Sequence, residues 1–135
     1  MAEAFIDTSF VVALINQRDQ YHVQAVELAS QFDKKSLVTT DAVLLEIGNA
    51  LARNFKEASI HLIEYFLTSD EVEIIPLNTQ LFAQAFELYR SRLDKSWGLI
   101  DCVSFVVMRD LGLTESLTAD NHFEQQALRY CSVEA

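Results

Sequence analysis

Apolar and polar positions divide the chain into two kinds of segment. Short, almost wholly apolar or β-prone runs recur at residues 4–6, 36–39, 72–75 and 116–118, with a further one at 130–133. Runs of this length, bounded by polar residues, predict buried strands. Between them the apolar residues fall at helical spacing. Val23, Val26, Leu28, Ala29 and Phe32 mark a helix over 22–32, and Ile60, Ile63 and Leu67 mark one over 56–67. Leu81, Phe82, Ala85, Leu88 and Tyr89 give 79–92 an apolar face. Residues 10–15 continue as a helix fed by the first strand, 42–53 form a long helix capped by Thr40 or Asp41, and Asn78 caps the helix that follows Pro76. The segment 99–111 is apolar nearly all round and stops at Gly112, as a helix buried between other elements does; a short helix is predicted over 121–128.

Strands alternating with helices predict an α/β fold, a parallel sheet with helices on both faces. In such folds ligands gather at the carboxyl ends of the strands, near the point where strand order reverses. The 135 residues make one domain, 1–135, large enough to hold together by an ordinary apolar core. With three Gly, one Pro and 50% hydrophobic residues, disorder and collagen-like repeats are excluded. Cys102 and Cys131 read as free thiols rather than a disulfide framework or zinc site. No signal-type leader or membrane-length apolar run is present, so the expected location is cytoplasmic with no membrane partner.

Charge complicates the picture. Ten Lys and Arg against twenty Asp and Glu give a formal charge of −10, a field that repels phosphates. Either nucleic acid is not the partner, or carboxylates are concentrated in one place and a cation mediates.

Four acids suit the second case. Asp7 follows the first strand and Asp120 a later one, so both fall on one sheet edge, though each also suits a helix N-cap. Glu46 interrupts an apolar stretch with Asn49 and Arg53 on its helix face, where an amphipathic polar stripe is the plainer reading. Asp101 opens the buried helix, with Ser104 on the same side, and a carboxylate there is costly unless paired or bound to a cation. Such a cluster is an all-oxygen site for Mg²⁺ or Mn²⁺, which activates water and offsets charge on a phosphodiester. The histidines, His22, His61 and His122, lie apart on polar stretches, and the isolated glycines make no phosphate loop.

The segments Phe5-Ile6-Asp7-Thr8-Ser9, Leu45-Glu46-Ile47-Gly48-Asn49-Ala50-Leu51, Leu99-Ile100-Asp101-Cys102-Val103-Ser104-Phe105 and Leu117-Thr118-Ala119-Asp120-Asn121-His122-Phe123-Glu124 resemble the four acidic motifs of PIN-domain proteins. They look closest to the VapC-type ribonucleases of bacterial toxin–antitoxin modules. The resemblance spans almost the whole chain and implies a three-layer α/β/α sandwich with a central parallel sheet of about five strands. It implies Mg²⁺- or Mn²⁺-dependent endoribonuclease activity, a homodimer and a cognate antitoxin. Carried over by position, it makes Asp7 and Asp101 the principal metal ligands, with Glu46 and Asp120 completing the catalytic pocket. Thr8, Ser9 and Thr118 become hydrogen-bonding neighbours, Asn49 and Ser104 support the walls, and Asp94, seven residues before Asp101, is a further acid nearby. The chain departs from the family at 125–128, which lacks the Gly that relatives often place before the last strand.

RNA must still be held by an acidic protein. Arg53 and Lys56 follow the Glu46 helix, and Arg90, Arg92 and Lys95 precede Asp101; these five form a candidate basic rim, against the alternative of an ordinary solvated surface. Phe and Tyr residues are expected mainly in the core. A competing reading is a catalytically silent PIN-like module acting through protein or RNA contacts. A phosphoaspartate enzyme or receiver fits poorly, because Ser9 stands where the former needs a second Asp and Asp120 where the latter needs a Lys.

Overall fold

A computed structural model describes residues 1–119 together with Cys131 and Ser132. The chain runs β1 (Ala4–Ile6), α1 (Thr8–Ile15), α2 (His22–Gln31), β2 (Leu37–Thr40), α3 (Asp41–Leu51), α4 (Lys56–Thr68), β3 (Val72–Ile75), α5 (Thr79–Ser91), α6 (Leu99–Leu111), β4 (Ser116–Thr118) and β5 (Cys131–Ser132). The expected helix over 121–128 lies outside the described residues. Every strand pairing is parallel, in the order β3-β2-β1-β4-β5. The chain lays β2 and β3 on one side of β1 and β4 and β5 on the other, so strand order reverses between β1 and β4. All three residues of β1 and of β4 are buried, as strands covered on both faces must be.

Local chemistry fixes the helix starts. Thr40 ends β2 opposite Ile75, and its hydroxyl then accepts from the Val43 amide to cap α3. Asn78 caps α5 through the Leu81 amide. Gly112 ends α6 at φ +69, where its amide and that of Leu113 close onto the last turn, a conformation that costs residues with a Cβ. The core gathers Phe5, Ile6, Val11, Val38, Val43, Ile47, Val103, Phe105, Val106, Met108 and Leu117. Cys102 is a buried free thiol; burial, and then the Asp101 charge, push it up to about 11, so it is protonated and inert as a nucleophile at neutral pH.

The expectation that Phe and Tyr lie mainly in the core holds for Phe5, Phe10, Phe66 and Phe105, which are buried, and for Tyr21, Phe32 and Phe55, partly buried against them, but four of the described aromatic residues depart from it. Phe82, Phe86 and Tyr89 on α5 and Tyr65 on α4 are each about half exposed. The α5 residues that pack inward are Leu81 and Ala85, with Leu88 partly buried against them.

Candidate active site

The switch point between β1 and β4 is built from carboxyl and hydroxyl groups. Asp7 leaves the end of β1 with its amide bonded to the Leu117 carbonyl of β4 at 3.1 Å. Its side chain is only 4% exposed, yet Oδ2 accepts from Ser9 Oγ at 2.8 Å and from Thr118 Oγ1 at 2.7 Å. The Ser9 amide approaches the same oxygen at 3.4 Å, so Asp7 also caps α1, the plainer role foreseen for it. Ser9 Oγ and Thr118 Oγ1 lie 3.0 Å apart, and the Ala119 amide donates to Ser9 Oγ at 2.8 Å. Hydroxyl donors aimed at one carboxylate oxygen favour its charged form and offset part of the cost of burial.

A second carboxylate joins through the neighbouring residue. Thr8, the first residue of α1, donates its hydroxyl to Glu46 Oε1 across 38 sequence positions. Packing of α1 against α3 places Glu46 there, in a helix that buries Val43, Leu44 and Ile47 while leaving Glu46 half-buried and Leu45 exposed. Thr8 thereby couples Glu46 to the backbone next to Asp7. Thr8→Val keeps the shape and the β-branched helix start but removes the donor. It is expected to lower stability by about 1 kcal/mol, whereas Thr8→Ser, which keeps the hydroxyl, restores it; thermal melting reads the effect.

Asp101 is anchored separately. It stands in the first turn of α6, half-buried, and its Oδ2 accepts from the Gly98 amide at 3.0 Å, an arrangement that also complements the helix dipole. Ser104, one turn on, is fully buried and donates to the Ile100 carbonyl at 3.2 Å. Asp120 lies outside the described residues. Asn49 is exposed on α3. Asp94 is held by Arg92 through two contacts of 3.0 Å, and that hydrogen-bonded pairing lowers its pKa to about 2. The structure thus gathers Asp7, Ser9 and Thr118 in one hydrogen-bonded cluster, ties Glu46 to the adjacent Thr8, and commits Asp94 to a surface ion pair.

The five candidate basic residues separate. Arg90 pairs with Glu87, Arg92 with Asp94, and Lys95 lies over the Trp97 ring with its Nζ 6.0 Å from the centroid. Arg53 and Lys56 are exposed and enter no ion pair among the described residues. Of the histidines, His22 Nδ1 meets the Ala13 carbonyl at 2.9 Å and His61 faces Glu57 at 3.9 Å. Sequence reading missed Trp97. Buried at 4% exposure, it meets Phe105 edge-on at 5.1 Å and carries Arg92 on its face at 5.0 Å, bracing the loop that delivers Asp101. The available signal was the chain's single Trp, four residues before that acid.

Among the described residues, no group of three or more His, Cys, Asp or Glu side chains is gathered closely enough to hold a metal ion. The donor chemistry nonetheless fits a hard divalent cation. Asp7, Glu46 and Asp101 are oxygen donors, two of them already oriented by hydroxyls, and neither a thiolate nor an imidazole joins the described network.

Comparison with known proteins gives this geometry a context. The 23S rRNA-specific endonuclease VapC20 of Mycobacterium tuberculosis is 28% identical over 119 residues, covering 88% of this chain and 90% of that protein. The crystal structure of M. tuberculosis VapC20, described as a Sarcin-Ricin loop cleaving toxin, matches with a TM-score of 0.85 at 26% identity, over 93% of this chain and 96% of that one. DNA-bound VapBC from Salmonella typhimurium shares the fold, with a TM-score of 0.66 at 16% identity over 98% and 99% of the two chains. The family model of the PIN domain matches residues 4–128, a span that holds the carboxylate and hydroxyl network and all four acidic segments, and the chain belongs to the PIN-domain family.

Proposed function

We propose that this protein is a divalent-cation-dependent endoribonuclease, the toxin of a toxin–antitoxin pair. The observation that carries the reading is the buried Asp7 carboxylate, fixed by Ser9 and Thr118 at the switch point of a PIN-domain sheet with Glu46 tied in through Thr8. The rRNA-cutting relative, aligned over most of both chains, supports RNA as the substrate class.

Asp7, Glu46 and Asp101, together with Asp120, would hold Mg²⁺ or Mn²⁺. When bound, the cation lowers the pKa of a water and neutralises charge on the scissile phosphate. Asp7 and Asp101 would be the main ligands, Glu46 and Asp120 would hold a second ion or orient water, and Thr8, Ser9 and Thr118 aim the carboxylates they hydrogen-bond. Arg53 and Lys56, uncommitted among the described residues, suit the RNA backbone better than Arg90, Arg92 or Lys95, which already have partners. A pocket this acidic also suits an antitoxin that inserts Arg or Lys. The protein acts in the cytoplasm as a homodimer; among the described residues, no helix is long and apolar enough to cross a membrane.

Incubation with a defined single-stranded RNA tests the activity. Cleavage is expected in Mg²⁺ or Mn²⁺ and should fall to background in excess chelator; equal cleavage under both conditions would sink the reading. A second reading is a silent PIN-like module acting through protein or RNA contacts. That reading expects no cleavage in any cation.

A further inference from the structure

We infer that the groove between the α1–α2 loop and the α3–α4 turn is a nucleotide subsite, which holds one unstacked base of single-stranded RNA against Phe55 with the neighbouring phosphates on Arg18, Arg53 and Lys56. This deepens the ribonuclease reading above and rests on it for the identity of the ligand.

The packing of α1 beside α3 places the groove. Both helices leave the carboxyl ends of sheet strands, and Thr8 meets Glu46 partway along their contact. Seven residues further along each segment stand Ile15 and Arg53, so the two helices run out roughly 10 Å from the carboxylates. There the groove opens. Ile15, Asn16, Gln17 and Arg18 line one side and Asn54 and Phe55 the other, around about 690 Å³, within the roughly 300–1,000 Å³ of small-ligand sites.

Charge selects what enters it. Arg90, Arg92 and Arg109 face Glu87, Asp94 and Asp110, while Lys35 and Lys95 lie over the Phe32 and Trp97 rings. Among the described residues Arg18, Lys34, Arg53 and Lys56 are left with no ion pair or ring contact, and all but Lys34 stand at the groove, Arg53 and Lys56 flanking Asn54 and Phe55. In a protein of charge −10, exposed cations gathered at one concave surface mark a place for phosphates. The acids beside them are engaged: Asp19 accepts from the Tyr21 amide at 2.8 Å, and Glu57 faces His61 at 3.9 Å. Because α4 begins at Lys56 with no side chain capping it, its first amides add to the attraction for an anion.

The lining suits a base. Phe55 is partly buried against the core, which holds its ring in place for stacking. Gln17 and Asn54 are exposed and offer both donors and acceptors to a base edge. Asn16 Oδ1 accepts from the Arg18 amide at 3.0 Å, which steadies the loop that carries the arginine. A protein segment is the weaker occupant, since Ile15 and Phe55 are the only apolar residues of the lining.

Fluorescence anisotropy of a labelled oligouridine with the full chain, across a salt series in Ca²⁺ and with the RNA verified intact, is the test. Arg18→Ala is expected to weaken binding about 10-fold and to reduce the slope of log affinity against log salt by about 0.7. Phe55→Leu, which keeps an apolar side chain against the core, should weaken binding about 10-fold with the slope unchanged. Should that variant melt lower, Gln17→Ala at an exposed position takes its place, with a loss of about 5-fold. Lys34→Asn removes a charge elsewhere and tolerates the left-handed backbone at φ 63, so it should change neither quantity. In Mn²⁺ the Arg18→Ala effect should fall on KM and leave kcat unchanged. An Arg18→Ala protein that binds like the wild type, or a Lys34→Asn protein that loses as much, would overturn the subsite, while cutting by the wild type would leave the ribonuclease reading standing. Groove-dependent binding without cutting in Mg²⁺ or Mn²⁺ would sink the ribonuclease reading and support the subsite. Polyglutamate bound as tightly as oligouridine, and lost equally in Arg18→Ala, would overturn it in favour of acidic protein segments.

Discussion

Asp7→Asn and Asp101→Asn proteins are expected to fold normally and to cleave RNA about 100-fold more slowly or worse. Replacing a metal-binding carboxylate should cost at least the upper end of the 10- to 100-fold range found for groups that merely orient one. The folding half of the expectation follows from local structure. Asp7 caps α1, and Asn caps a helix as well as Asp does. Its partners are also retained, because the Asn carbonyl can still accept from Ser9 and Thr118. Removing one negative charge from a cluster of acids relieves repulsion, so in chelator the Asp7→Asn protein should melt no lower than the wild type. Lost activity with retained stability would separate a chemical role from a structural one. Equal rates for wild type and both variants in Mn²⁺ would remove these acids from the chemistry.

The second large effect concerns stability with and without the cation. A ligand that binds the folded state alone stabilises it by about 2.7 kcal/mol at a hundredfold excess over its Kd. For a domain of this size that raises the melting temperature by roughly 10 °C. The wild type is expected to show this rise with Mn²⁺ or Mg²⁺, and Asp7→Asn and Asp101→Asn to show little of it. Monovalent salt at matched ionic strength controls for screening of the −10 charge, which would stabilise wild type and variants alike. A wild type indifferent to Mn²⁺ would favour the silent module.

Much of the architecture could be read from the order of residues, because the local signals agree with the tertiary ones. The apolar run of α6 is continuous and stops at a glycine, so both its burial and its end were visible. The boundary of β2 moved by one residue because Thr40 does two jobs, pairing with Ile75 and capping α3. Spacing alone cannot show how much of a broad apolar face is buried, and α5 exposes aromatic rings that the pattern assigned inward. The site divides in the same way. Asp7, Glu46 and Asp101 were marked by carboxylates standing in or beside apolar segments. The Thr8 to Glu46 bond was illegible, since it depends on how α1 crosses α3. Nor could sequence show that Arg90 and Arg92 spend their charge on Glu87 and Asp94, which moves the candidate RNA grip toward Arg53 and Lys56.

The ends left on a defined RNA test the central claim most directly. If the carboxylate pocket directs water at the phosphate, mass spectrometry of the products will find 5′-phosphate and 3′-hydroxyl termini, formed by the wild type with Mn²⁺ and absent with Asp7→Asn. Termini bearing a 2′,3′-cyclic phosphate, produced with or without the cation, would mean that the ribose hydroxyl is the nucleophile and would contradict the account.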